Sequence, residues 1–171
     1  MTCGSTTGVI NFFVRGLPKT QGSTRTWVVK GKPITTTTTK GLYDWRRLIA
    51  DQAQGHAPKS PWDAAVIMWA TFYLPRPKSE SKKVRTYPSR RPDLSKLLRA
   101  VEDALTHIFW TDDSRIVMAH ITKQWADDPS VDEKDRRPPG VYIEAWPIGA
   151  FPLHVKTYGV NVLDEVRTKG Y

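Results

Sequence analysis

Apolar residues recur along this chain in two periods, and the change from one to the other marks its elements. Val9 to Val14 is a run of β-formers bounded by Gly8 and Gly16, which predicts a strand. Gly16 to Arg25 reads as a polar loop carrying Leu17-Pro18, and Thr26–Val29 and Ile34–Thr38 predict two short strands around Lys30-Gly31-Lys32-Pro33. Leu42, Trp45, Leu48, Ile49 and Ala53 then repeat at helical spacing, predicting a helix over 42–54 with Arg46 and Arg47 outward. Gly55 and Pro58 stop it. Trp62 to Leu74 predicts a long central strand with Val66, Met68, Ala70 and Phe72 on one side and Ile67, Trp69 and Tyr73 on the other. Both sides are apolar, so both are expected to be covered.

Pro75 to Arg91 has no core pattern and reads as an exposed loop. The clearest helix follows, over 93–107. Leu94, Leu97, Leu98, Val101, Ala104, Leu105 and Ile108 share one face, and Ser95, Lys96, Arg99, Glu102 and Asp103 share the other. Pro92 and Asp93 suit its first turn. After the turn Thr111-Asp112-Asp113-Ser114, strands are expected over 116–125 and 141–146, separated by a charged loop from Asp127 to Gly140. The order β, β-hairpin, α, β, α, β, β gives a single compact α/β domain, α+β-like, with a mixed sheet and two main helices. We bound that domain at 8–147 and leave 148–171 as a C-terminal extension.

Composition narrows the class. The chain has 171 residues, 39% of them hydrophobic with seven Trp, too many for a disordered segment. The nearly apolar run from Ala64 to Leu74 is shorter than the ~17–25 residues of a membrane helix. A single cysteine permits no internal disulfide, and Met1-Thr2-Cys3-Gly4 lacks a signal-peptide pattern, so the cytoplasm is the expected compartment. The net charge of +9 is uneven: residues 76–99 sum to +7 and residues 100–148 to −5. A basic arm running into an acidic block suits phosphate attraction beside a carboxylate site for cations.

Four His, at 56, 107, 120 and 154, have no zinc-ligand spacing, and neither GxGxxG nor a phosphate-loop lysine is present. Cys3, Ser5 and Ser114 have no base in a recognisable frame. Carboxylates remain. Asp93 opens the second helix, and Asp112 and Asp113 sit in the turn that enters the next strand. If that strand returns antiparallel to the helix, the two places are expected to present carboxylates to one Mg2+. An acidic turn and a helix-starting Asp are also common structural features.

The segment from Arg91 to Val117, with Arg91-Pro92-Asp93-Leu94-Ser95-Lys96-Leu97, Asp103-Ala104-Leu105-Thr106 and Trp110-Thr111-Asp112-Asp113, resembles the signature of the RusA family of Holliday-junction resolvases. Leu17-Pro18 after the first strand and Tyr43-Asp44-Trp45-Arg46 in the first helix fit the family's order. The length, charge and tail are similar to versions carried by phages or prophages.

The resemblance implies a homodimer in a bacterial host cell that binds four-way DNA and nicks it with Mg2+, for which Mn2+ can substitute. It makes Asp93, Ser95, Arg99 and Asp113 the catalytic positions and Asp93, Asp112 and Asp113 the metal ligands. Arg76, Lys78, Lys82, Lys83, Arg85, Arg90, Arg91 and Lys96 become the DNA-binding cations. Arg99 stands where the family often has a Lys, keeping the charge but not lysine's compact ammonium. Asp103 matches a family Asp whose role is as readily structural as catalytic. Ser95 stands where the family usually has its second catalytic Asp. Natural divergence, loss of cleavage with retained junction binding, and an engineered inactive variant all account for it. A non-cleaving branched-DNA binder is therefore the alternative function. A basic protein–protein adaptor ranks last, because it leaves Asp93, Asp112 and Asp113 without purpose.

Overall fold

The apolar run after residue 62 becomes an inner strand of a four-stranded sheet. The computed structural model describes residues 8–22, 24–37, 39–81, 86–129 and 131–150. Among them, β1 (Ile10–Arg15), β2 (Thr24–Val29) and β3 (Lys32–Thr37) precede α1 (Leu42–Gln54) and β4 (Val66–Leu74). Then come α2 (Leu94–Leu105), β5 (Ile116–Trp125) and β6 (Gly140–Pro147). The main sheet has the order β1-β6-β4-β5, while β2 and β3 form a separate antiparallel hairpin. β4 and β5 are parallel and the other neighbours antiparallel, so the sheet is mixed and α2 is the crossover of a βαβ unit. Fold class, element order and both helices agree with the sequence reading; the extension past Ala150 lies outside the described residues.

Both helices lie on one face of the sheet. Phe12 and Val14 of β1, Val66, Met68, Ala70 and Phe72 of β4, and Val141, Ile143 and Ala145 of β6 meet Leu42, Trp45, Ile49 and Ala53 of α1 and Leu97, Val101, Ala104 and Leu105 of α2. Arg46, expected outward, instead turns to α2: its guanidinium pairs with the Asp103 carboxylate at 3.5 Å and donates to the Asp103 carbonyl at 3.3 Å. Gly140 sits where β6 presses on β1, and any Cβ there would collide with the Val14 carbonyl.

The opposite face corrects the expectation of two covered sides. Ile67 is buried, but Trp69, Thr71 and Tyr73 are only half-buried, and among the described residues no helix lies over them. Their neighbours shield them instead: Trp69 packs on Trp146 and His120, and Tyr73 on Phe13. Two boundaries also move. β4 begins at Val66, Trp62 forming only a bridge to Trp110, and α2 ends at Leu105 because Thr106 leaves helical backbone and His107 takes a left-handed φ of 68°.

Candidate nucleic-acid interface along helix α2

Asp93 occupies the N-cap position of α2 with extended backbone (φ −70°, ψ 133°); its carbonyl accepts from the Leu97 N–H at 3.1 Å, but its side chain makes no cap hydrogen bond. Its Oδ2 pairs with Lys96 Nζ at 3.1 Å, one turn along. That hydrogen bond and the Lys96 charge hold the carboxyl below its ordinary pKa, with Arg91 and Lys123 adding weaker attraction. Lys123 comes from β5, on the helix-bearing side of the sheet beside Phe72. Its ammonium donates to the carbonyls of Arg90 at 2.8 Å and Pro92 at 3.0 Å, fixing the chain that leads into Asp93.

Past Asp93, Ser95, Lys96 and Arg99 are exposed on α2. Together with Gln21 and Gly22 of the β1–β2 loop they line an open cavity of about 250 Å³. The Gln21 N–H donates to the Lys96 carbonyl at 2.9 Å, tying that loop to the first turn of the helix.

The far end of α2 carries the second group of carboxylates. Trp62 and Trp110 hold the turn there: the Trp62 N–H donates to the Phe109 carbonyl at 2.7 Å and the Thr111 N–H to the Trp62 carbonyl at 3.1 Å. Phe109 and Trp110 are wholly buried, which makes them core rather than base-stacking surface. Asp112 accepts from the Ser114 N–H at 2.9 Å as the chain enters a 3₁₀ turn, Asp113–Arg115. Bonds from the Ser114 hydroxyl and N–H hold the Asp112 carboxyl below its ordinary pKa. Glu102, on the last turns of α2, is pushed up, first by burial and then by the charges of Asp113 and Asp103.

The two ends do not converge. α2 is about 18 Å long, Asp93 precedes it, and Asp113 lies beyond its other end. β5 does return antiparallel to α2, as the expected metal site required. That return brings Lys123, near the end of β5, beside Asp93, and leaves Asp113, before its start, at the opposite edge. Among the described residues no three His, Cys, Asp or Glu side chains are placed to hold one ion. Asp93, Asp112 and Asp113 are therefore not one three-carboxylate site within a chain.

The cations also divide. Arg76 is not a phosphate ligand in waiting: its side chain is 1% exposed. Its guanidinium donates to the Ser81 carbonyl at 2.7 Å, Thr86 Oγ1 at 3.2 Å and Asp127 at 3.3 Å, and lies 5.9 Å from the Trp125 ring centre. It anchors the base of the basic loop. Lys78, Arg90, Arg91, Lys96 and Arg99 are exposed, while Lys82, Lys83 and Arg85 lie outside the described residues.

Sequence reasoning missed Lys123 and Gln21. A signal existed for Lys123, since strand alternation through Ile121, Lys123 and Trp125 places a lysine on the inward side. Gln21 had none, because its role depends on which helix the loop lies against.

A divalent cation fits this surface only in a limited way. Asp112 and Asp113 are adjacent and exposed, and two carboxylates are what Mg2+ commonly takes from a protein, with water and phosphate oxygens completing its shell. Asp93 belongs to no such pair.

Comparison with known proteins bears on this interface. A sequence profile of the family described as Endodeoxyribonuclease RusA matches residues 16–132, a span containing both helices and both groups of carboxylates. The chain is also 31% identical over 132 residues to an uncharacterized Bacillus subtilis (strain 168) protein, YqaN, covering 72% of this chain and 92% of that one.

Proposed function

Given that this chain belongs to the RusA endodeoxyribonuclease family, we propose that it binds four-way DNA junctions as a homodimer and hydrolyses phosphodiesters there with Mg2+ or Mn2+. The observation that carries this reading is the exposed stripe on α2. Ser95, Lys96 and Arg99 lead from Asp93 toward Glu102 and Asp113, joining anion-binding cations to carboxylates along one helix face. When bound, the divalent ion supplies positive charge at the scissile phosphate and acidifies a water molecule. Arg99 holds backbone phosphate, Asp93 orients Lys96 through their 3.1 Å pair, and Lys123 fixes the approach to Asp93. No described helix is long and apolar enough to cross a membrane, and a bacterial cytoplasm with a phage or prophage source is part of the same proposal.

A specific observation favours the non-cleaving alternative. Ser95 offers a neutral hydroxyl where the resemblance implies a carboxylate, and the remaining acids stand at separate ends of α2. Ser95 lowers cleavage while leaving the cationic face intact. Incubating four-way junction and matched linear duplex with the chain and with Ser95→Asp, with and without Mg2+, tests both readings. Cleavage by the unsubstituted chain supports the nuclease, cleavage by Ser95→Asp alone supports the binder, and absence of junction-selective binding by either rejects both.

A further inference from the structure

We propose that the cavity between the β1–β2 loop and the first turns of α2 is a phosphate pocket that takes one backbone phosphodiester of the bound DNA. The inference rests on the reading of α2 as a DNA-engaging helix and assigns Gln21, Gly22 and Ser95 to that surface alongside Lys96 and Arg99.

Among the described residues the cavity is lined by two cations, one hydroxyl, one amide and one glycine, with no carboxylate. Such a set rejects a metal ion and accepts an oxyanion. Arg99 is exposed and its charge is felt by Glu102 one turn along, while its fork of N–H donors faces solvent. Lys96 spends one contact on Asp93, and an ammonium has three donors. Gln21 Oε1 is buried with no hydrogen-bond partner among the described residues, so Gln21 serves the pocket through its backbone tie to α2. The wall is attached to the helix beside both cations through the Gln21–Lys96 backbone bond of 2.9 Å. At about 250 Å³ the space is smaller than pockets that enclose whole ligands and suits a phosphate group.

Ser95 is the decisive residue. An aspartate at this position would place a carboxylate on the wall and repel the anion that Lys96 and Arg99 attract. The hydroxyl donates a hydrogen bond to that anion instead. The substitution that weakens a metal site therefore builds a phosphate site.

Amide NMR of the full chain in EDTA, which blocks cleavage, tests this with two probes, inorganic phosphate and a four-way junction. The resonances of Gly22, Ser95, Lys96 and Arg99 are expected to shift saturably with each. Ser95→Asp is expected to weaken inorganic phosphate binding by about tenfold or more, whereas Arg47→Gln, which removes the same net charge from α1, leaves it unchanged. Shifts with phosphate but not with the junction would mark an adventitious anion site and overturn the proposal. Junction-induced shifts elsewhere with none at these residues would overturn the pocket and leave the family reading standing. A junction that perturbs no residue would overturn that reading, and the pocket with it.

Discussion

The ammonium of Lys123 holds the carbonyl of Pro92, the residue before Asp93, at 3.0 Å, and reaches the Arg90 carbonyl at 2.8 Å in the same grip. A strand of the sheet thus sets where the helix cap begins. Lys123→Met is expected to lower stability to urea by about 1 kcal/mol and to raise the pH at which Asp93 titrates, because a positive charge that favours its carboxylate is gone. Lys123→Arg should restore part of both. Unchanged stability together with unchanged Asp93 titration would remove Lys123 from this role.

Arg76 and the exposed cations should separate cleanly. Arg76→Met removes a buried guanidinium from between Asp127, Thr86 and Ser81, and is expected to cost about 3 kcal/mol in denaturant unfolding. Arg99→Gln should leave the unfolding midpoint where it was and reduce the salt slope of junction binding by about 1. The reverse pattern would make Arg76 the phosphate ligand.

Glu102 gives the fold a pH signature. Its carboxyl is raised by burial and by Asp113 and Asp103, so between its unfolded and folded pKa values the native state holds more protons than the unfolded chain. Stability therefore falls as pH rises across that interval, and the loss is complete above it. Glu102→Gln should melt at a higher temperature than the unsubstituted chain at pH 7, with the difference vanishing below the ordinary carboxylate range. A variant that is less stable at pH 7 would show that Glu102 has a stabilising partner.

Asp113→Asn is expected to abolish any Mg2+-dependent nicking while junction affinity holds or rises, since one negative charge leaves the surface proposed to meet DNA. Gel-shift and nicking assays on the same preparation check both. Full nicking by the variant would exclude Asp113 as a ligand.

Much of this architecture was legible because it is written in local periodicity. The face of α2 that buries Leu97, Val101 and Leu105 and the inner strand from Val66 to Leu74 are both visible as repeats of apolar residues. Distances between elements are not written that way. An antiparallel return of β5 entered the sequence reading only as a condition for a metal site; which of its ends lies beside Asp93 depends on the crossover, and the parallel pairing of β4 with β5 puts Lys123 there. The seven excess positive charges of residues 76–99 looked like one phosphate-binding arm. Arg76 shows why charge alone misleads: a guanidinium can serve as a buried hydrogen-bond hub, and only its neighbours reveal which use it has.

The central claim is junction recognition by the α2 face, with position 95 deciding how well the chain cuts. The most direct measurement is a gel assay of labelled four-way junction against matched linear duplex, using the unsubstituted chain and Ser95→Asp at equal concentrations, in Mg2+ and in EDTA. The account predicts junction-selective retention by both proteins in EDTA, and in Mg2+ markedly more symmetric nicking by Ser95→Asp than by the unsubstituted chain. Equal binding to junction and duplex, or Ser95→Asp nicking no faster than the unsubstituted chain, would contradict it.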